Sequence, residues 1–107
     1  LFSGADAGPI LRSLEDAGAA AVGFNCVNMD MMTPYLITKL RRYVKGPLIC
    51  KPNAGVPVIG NDGVPCYPQT PDEFADIVKA CHNNGAAILG GCCGTAPEYI
   101  AALSKHL

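Results

Sequence analysis

The sequence predicts an α/β fold with parallel strands, built as the last three strand–helix units of a (β/α)8 TIM barrel. Three observations carry this. Short continuous apolar runs, the mark of strands buried on both faces, recur at AAVGFN, PLICKP and AAILGG. Each is followed by a helical pattern, and consecutive strand–helix units require a parallel sheet with right-handed crossovers. The units also share a rhythm of Gly-Ala, apolar run, loop and a proline near the helix start. DAGAAAVGFN and NNGAAILGGC read as one repeated unit, which suits a barrel better than a flavodoxin-like sheet.

The elements follow in order. GADAGPILRSLEDAGAA predicts a helix with Ile10, Leu11, Leu14 and Ala17 on one face and Gly18 as its stop. The run AAVGFN is the first strand. MMTPYLITKLRRYVKG predicts a helix capped by Thr33 before Pro34 and closed by Gly46. Its Lys39, Arg41, Arg42 and Lys45 read as a solvated face, and Met29, Met31 and Met32 as apolar filler. PLICKP is the second strand, ended by Pro52. Residues 53–70, dense in glycine and proline, read as a long ordered loop of the kind that carries function. TPDEFADIVKACHNNG predicts a helix capped by Thr70, with acids in its first turn. AAILGG is the third strand, and TAPEYIAALSKHL a last helix capped by Thr95.

At 107 residues the chain is one domain, whereas a closed barrel needs roughly 250 residues. Three strands cannot close, so the inward face, read as Val22, Phe24, Ile49 and Ile88, is expected to be open. Residues 1–107 are therefore read as the C-terminal portion of a larger barrel, whose remainder or self-association covers that face. A net charge of -1 gives no footprint for nucleic acid or an acidic membrane surface. No apolar run approaches the roughly 18 residues of a membrane span, and no signal segment opens the chain. Six cysteines raise the possibility of a disulfide framework. The regular α/β pattern argues against it and for reduced thiols in a cytoplasmic protein.

Those cysteines are unevenly placed. In parallel α/β folds ligands bind at the carboxyl ends of the strands. Cys26 follows the first strand in VGFNC; Cys92 and Cys93 follow the third in LGGCC. All three emerge at one rim, from strands separated by a single neighbour and so on the order of 10 Å apart. Gly90, Gly91 and Gly94 loosen the backbone enough for both adjacent thiols to turn toward one point. Three thiolates without a fourth protein ligand is the pattern of a catalytic zinc site with one open position. Against it stands the behaviour of free cysteines as small buried hydrophobes, which is the reading for Cys50 and Cys81; Cys66, in the loop, has little claim to a role. Other readings are a non-catalytic domain with a structural zinc, a redox site, and a glycine-rich phosphate cradle. His82 and His106 fall late in helices, away from the strand ends, where a fourth ligand would not be. The redox and phosphate readings lack C-x-x-C and G-x-G-x-x-G respectively.

GFNC, KPNAG and GGCCGT, together with TPDEFADIVKA, resemble the zinc signature of the homocysteine S-methyltransferase family over essentially the whole chain. The resemblance implies a (β/α)8 barrel that transfers a methyl group to the thiol of homocysteine, giving methionine. It implies zinc held by Cys26, Cys92 and Cys93, which are thereby the catalytic residues. Asn53 is placed beside the metal, where its amide fills the open position without substrate. Asn25 and Gly91 join it as substrate-side or backbone-shaping residues. KPNAG looks closer to the folate- and cobalamin-dependent methionine synthases than to the betaine-dependent branch. Cobalamin and methyltetrahydrofolate would then bind through modules outside this chain. Chemically, a free thiol of pKa about 8.5 is mostly protonated at neutral pH. Coordination releases that proton, and the surrounding thiolates keep the substrate sulfur electron-rich. The fragment alone is expected to bind zinc weakly and not to turn over.

Overall fold

The computed structural model describes residues 7–26, 33–55 and 57–107. Along the chain run α1 (Ala7–Asp16), β1 (Val22–Asn25), α2 (Thr33–Arg41), β2 (Leu48–Lys51), β3 (Val58–Ile59), β4 (Pro65–Cys66), α3 (Pro71–Asn83), β5 (Ile88–Leu89) and α4 (Pro97–His106). β1, β2 and β5 form one sheet in that order, and both pairings are parallel. The strand order therefore follows the chain without reversal. No helix among the described residues is long and apolar enough to cross a membrane. The methionine cluster lies outside the described residues.

Register decides which residues meet the helices. Val22 pairs with Leu48 and Phe24 with Cys50, while Gly23 pairs with Ile49 and Ile49 with Ile88. Because side chains alternate along a strand, Val22, Phe24, Leu48 and Cys50 share one face, and Gly23, Ile49 and Ile88 share the other. The first face is the buried one. Val22, Leu48 and Cys50 join Leu11, Ile37, Leu40, Phe74, Val78 and Leu103 in a single core to which all four helices contribute. The expectation that Val22 and Phe24 point inward with Ile49 and Ile88 is thus corrected; parity along each strand was readable, but not the pairing between strands. Ile88 on the open face is 44% exposed. A cleft of about 330 Å³ lies at β1 and β2, bordered by Gly23, Asn25, Ile49 and Lys51 and by Leu14 of α1.

Most helix signals hold. Thr70 caps α3, its hydroxyl accepting the Glu73 N–H at 3.2 Å, with Pro71 opening the first turn and Asp72 and Glu73 in it. Phe74, fully buried, meets Tyr99 edge-on with ring centroids 5.6 Å apart and joins α3 to α4. Burying such a ring contributes about 1.5–3 kcal/mol. Other readings change. α2 ends at Arg41, so Gly46 lies beyond it and does not close it. Of the α1 stripe only Leu11 is buried, while Ile10 and Leu14 are exposed, Leu14 beside the cleft. Arg41 is not on a solvated face: its guanidinium donates to the carbonyls of Val44 (2.6 Å), Gly46 (2.7 Å) and Gly85 (3.4 Å), tying together the turns after α2 and α3.

The stretch 53–70 is also more than a loop. β3 and β4 pair antiparallel, Val58 with Cys66 and Ile59 with Pro65, in a small exposed hairpin. Its base is anchored: Gln69 N–H donates to Ala54 O, and the Tyr99 hydroxyl donates to Gln69 O. The Tyr67 ring covers Gly94 so closely that a Cβ there would collide with it. The Tyr67 contact sets the base of the hairpin against the turn that carries Cys92 and Cys93.

Candidate metal centre

The rim where β1, β2 and β5 end is shaped by main-chain bonds running past the last strand pairs. Cys26 N–H donates to Lys51 O at 3.1 Å, extending β1 along β2. There the chain turns: Cys26 has φ 56°, the only non-glycine positive φ among the described residues. Side chains seldom occupy this region, at a cost of roughly 1–2 kcal/mol, and such strain gathers at functional positions. On the far side of β2, Cys92 N–H donates to Pro52 O at 2.9 Å, and Ala54 N–H donates to Cys93 O at 2.9 Å. The adjacent cysteines are thus laid along the segment that leaves β2.

The three thiol sulfurs converge. Sγ of Cys26, Cys92 and Cys93 lie within 4.8 Å of one another, Cys26 and Cys93 exposed and Cys92 half-buried. Cys26 and Cys92 are in disulfide contact, with Cα atoms 5.4 Å apart. This differs from the expectation of uniformly reduced thiols, and its cause is the same convergence: two sulfurs brought to one point are placed to ligate or to bond. Cys50, Cys66, Cys81 and Cys93 are free.

Asn53, only 9% exposed, follows Pro52 at the end of β2. Its Oδ1 accepts the Cys93 N–H at 3.0 Å. Asn25 ends β1 in an exposed position beside Cys26. Gly91 precedes the cysteine pair with Thr95 packed against it, so that a Cβ on Gly91 would lie 2.6 Å from the Thr95 hydroxyl oxygen. Thr95 itself is where the sequence reading went astray. The cap of α4 is Ala96, without a side-chain bond, and the Thr95 hydroxyl instead donates to Cys92 O at 2.6 Å. A threonine just ahead of a proline-led helix reads as a cap; the competing carbonyl lay in a turn whose shape the sequence does not display.

The remaining cysteines stay out of the site. Cys50 and Cys81 are both fully buried, on the helix side of the sheet. The hydrogen bond with Cys81, reinforced by burial, pushes the Cys50 thiol well above the ordinary range, which leaves it an inert core group. Cys66 is exposed on the hairpin. Neither histidine approaches the sulfurs. His82 Nδ1 lies 2.8 Å from Ala86 O, and His106 bridges Asp72 at 3.4 Å and Asp76 at 3.1 Å across the α3–α4 surface.

Comparison with known proteins places the chain in a family. The family description for homocysteine S-methyltransferase matches residues 1–107. Methionine synthase of Mycobacterium tuberculosis (strain ATCC 25618 / H37Rv) is 35% identical over 101 residues, 94% of this chain and 8% of its own length. Methionine synthase of Mycobacterium leprae (strain TN) is 34% identical over the same share of each. Homocysteine S-methyltransferase 3 of Arabidopsis thaliana is 30% identical over 89 residues, 81% of this chain and 25% of its own length. The chain therefore spans a quarter or less of these relatives.

Proposed function

Because the chain belongs to the homocysteine S-methyltransferase family, we propose that residues 1–107 form the C-terminal portion of a homocysteine-binding (β/α)8 barrel in the cytoplasm. In this reading the barrel transfers a methyl group to the homocysteine thiol and yields methionine, and Cys26, Cys92 and Cys93 hold a catalytic zinc ion. The observation that carries it is the gathering of three sulfurs within 4.8 Å at the carboxyl rim of a parallel sheet. The donor set fits the ion. Tetrahedral zinc with Zn–S of about 2.3 Å spaces its sulfurs about 3.8 Å apart, within reach of small side-chain rotations once Cys26 and Cys92 part. The barrel reading is supported by the sequential strand order and, among the described residues, by helices that all pack into the core on one sheet face. A doubly wound sheet would carry helices on both.

When bound, zinc supplies Lewis acidity that lowers the pKa of an incoming thiol from about 8.5 and so provides thiolate at neutral pH. This chain's residues set the frame. The three cysteines contribute anionic sulfur, Asn53 fixes the Cys93 main chain, and Asn25 and Asn53 flank the substrate side. The family resemblance makes homocysteine the substrate, and two relatives named methionine synthase support methionine as product. KPNAG favours the folate- and cobalamin-dependent branch, with those cofactors on modules outside residues 1–107.

The disulfide contact between Cys26 and Cys92 favours one rival, a metal-free redox pair. Cys93→Ser separates the two readings. In the full-length protein under reducing conditions, each of Cys26→Ser, Cys92→Ser and Cys93→Ser should weaken zinc binding by more than about 100-fold, beyond what outer hydrogen-bond partners cost. Homocysteine methylation should be lost with it. A redox pair would lose function with Cys26 or Cys92 alone; wild-type zinc content and methylation in Cys93→Ser would reject the metal reading.

A further inference from the structure

The four main-chain polar groups of the Cys92–Cys93 turn are all engaged. Cys92 N–H goes to Pro52 O, Cys93 N–H to Asn53 Oδ1, and Cys93 O receives Ala54 N–H. The fourth, the Cys92 carbonyl, receives two bonds from one residue: the Thr95 hydroxyl at 2.6 Å and the Thr95 N–H at 3.2 Å. Thr95 also closes over Gly91, where an added Cβ would lie 2.8 Å from its Cγ2 and 2.9 Å from its Cβ.

We propose that Thr95 is a positioning residue for the metal centre: its hydroxyl locks the Cys92 carbonyl and so aims the Cys92 and Cys93 thiols at one point. The proposal rests on the metal reading above. The peptide between the two cysteines carries both Cα–Cβ bonds at its ends, so its orientation sets where both sulfurs point. Asn53 holds the N–H of that peptide and Thr95 its carbonyl, while the glycines at 90, 91 and 94 add little restraint of their own. Pairing with the segment that leaves β2 takes the groups on either side, Cys92 N–H and Cys93 O, and not the two groups of this peptide itself. The hydroxyl does not serve the following helix either, because α4 starts from Ala96 with no side-chain cap. Losing it therefore loosens the ligands and leaves the helix signals intact.

The test uses the reduced, metal-free full-length protein with Thr95→Val, Thr95→Ser and Cys92→Ser. Zinc affinity is measured by chelator competition, and the thiolate-to-metal absorption band is recorded with cobalt(II). Thr95→Val, which keeps shape and removes the donor, should weaken zinc binding about 10–100-fold, as the loss of an outer hydrogen bond to a ligand does. Its cobalt band should weaken and shift. Thr95→Ser should behave as wild type by both measures, and thermal unfolding of all metal-free forms should coincide. The role is overturned if Thr95→Val binds zinc as wild type does, if Thr95→Ser fails as badly as Thr95→Val, or if the lost affinity merely tracks lost folding. Loss in Cys92→Ser without loss in Thr95→Val rejects the positioning role alone. Retention in Cys92→Ser rejects the metal reading beneath it.

Discussion

At Cys26 the backbone enters the left-handed region, and at Gly94 it does so again with φ 80°. The two turns bracket the candidate centre. Gly94 has two reasons to be glycine: its φ, and the Tyr67 ring lying where a Cβ would stand. Gly63, at the hairpin tip with φ 77°, has only the first, since nothing lies within 4 Å of its added Cβ. Gly63→Ala should therefore cost only the left-handed penalty of about 1–2 kcal/mol. Gly94→Ala should cost that and roughly 1–3 kcal/mol more for overpacking, measured by urea unfolding of the full-length protein. Equal losses would show that the Tyr67 contact is dispensable. At this scale the sequence was informative where chemistry is local. Cys26, Cys92 and Cys93 were legible because each follows an apolar run that ends at a rim. The partners of Asn53 and Thr95 were not: the first bond joins residues 40 apart in the chain, and the second closes a turn whose conformation follows from tertiary packing.

Between elements, a carboxylate ties α1 to the turn that follows α2. Glu15 accepts the Lys45 N–H at 3.0 Å and the Gly46 N–H at 2.7 Å. These two backbone bonds, Lys45 first, hold its pKa below the usual carboxylate value. A depressed folded pKa means the contribution is complete above the unfolded value, about 4.3. It disappears as pH falls through the lower folded value. Glu15→Gln should be less stable than wild type at neutral pH, and the gap should close in acid. Unfolding midpoints across that range read it directly; a gap that is constant with pH would contradict the role. Helices and strands were largely legible from apolar spacing and caps such as Thr70-Pro71. The β3–β4 hairpin was not, because its Val58, Ile59 and Val64 are exposed and a two-residue strand shows no alternation to read.

For the molecule as a whole, the open sheet face is the dominant fact. Ile49 and Ile88 face away from the helices, and β1 ends the sheet with one edge unpaired among the described residues. Apolar surface of this kind drives association. Residues 1–107 in isolation should self-associate with rising concentration in sedimentation velocity, with Ile88→Lys shifting the population toward monomer. A monomer at every concentration would mean the face is content in water. The sequence foretold an open face from the shortage of strands but misassigned its members, since register emerges only when strands pair. That register has a further consequence. Cys26 rides on β1, aligned from Val22 opposite Leu48 to Asn25 opposite Lys51. A slip of one residue would carry its sulfur about 3.3 Å along the strand and swap the sides of the sheet. On the proposed metal reading, a captured cation would act as an inspector of correct zippering: misaligned chains would forfeit a donor, and the ion's grip would favour the properly threaded sheet as it assembles.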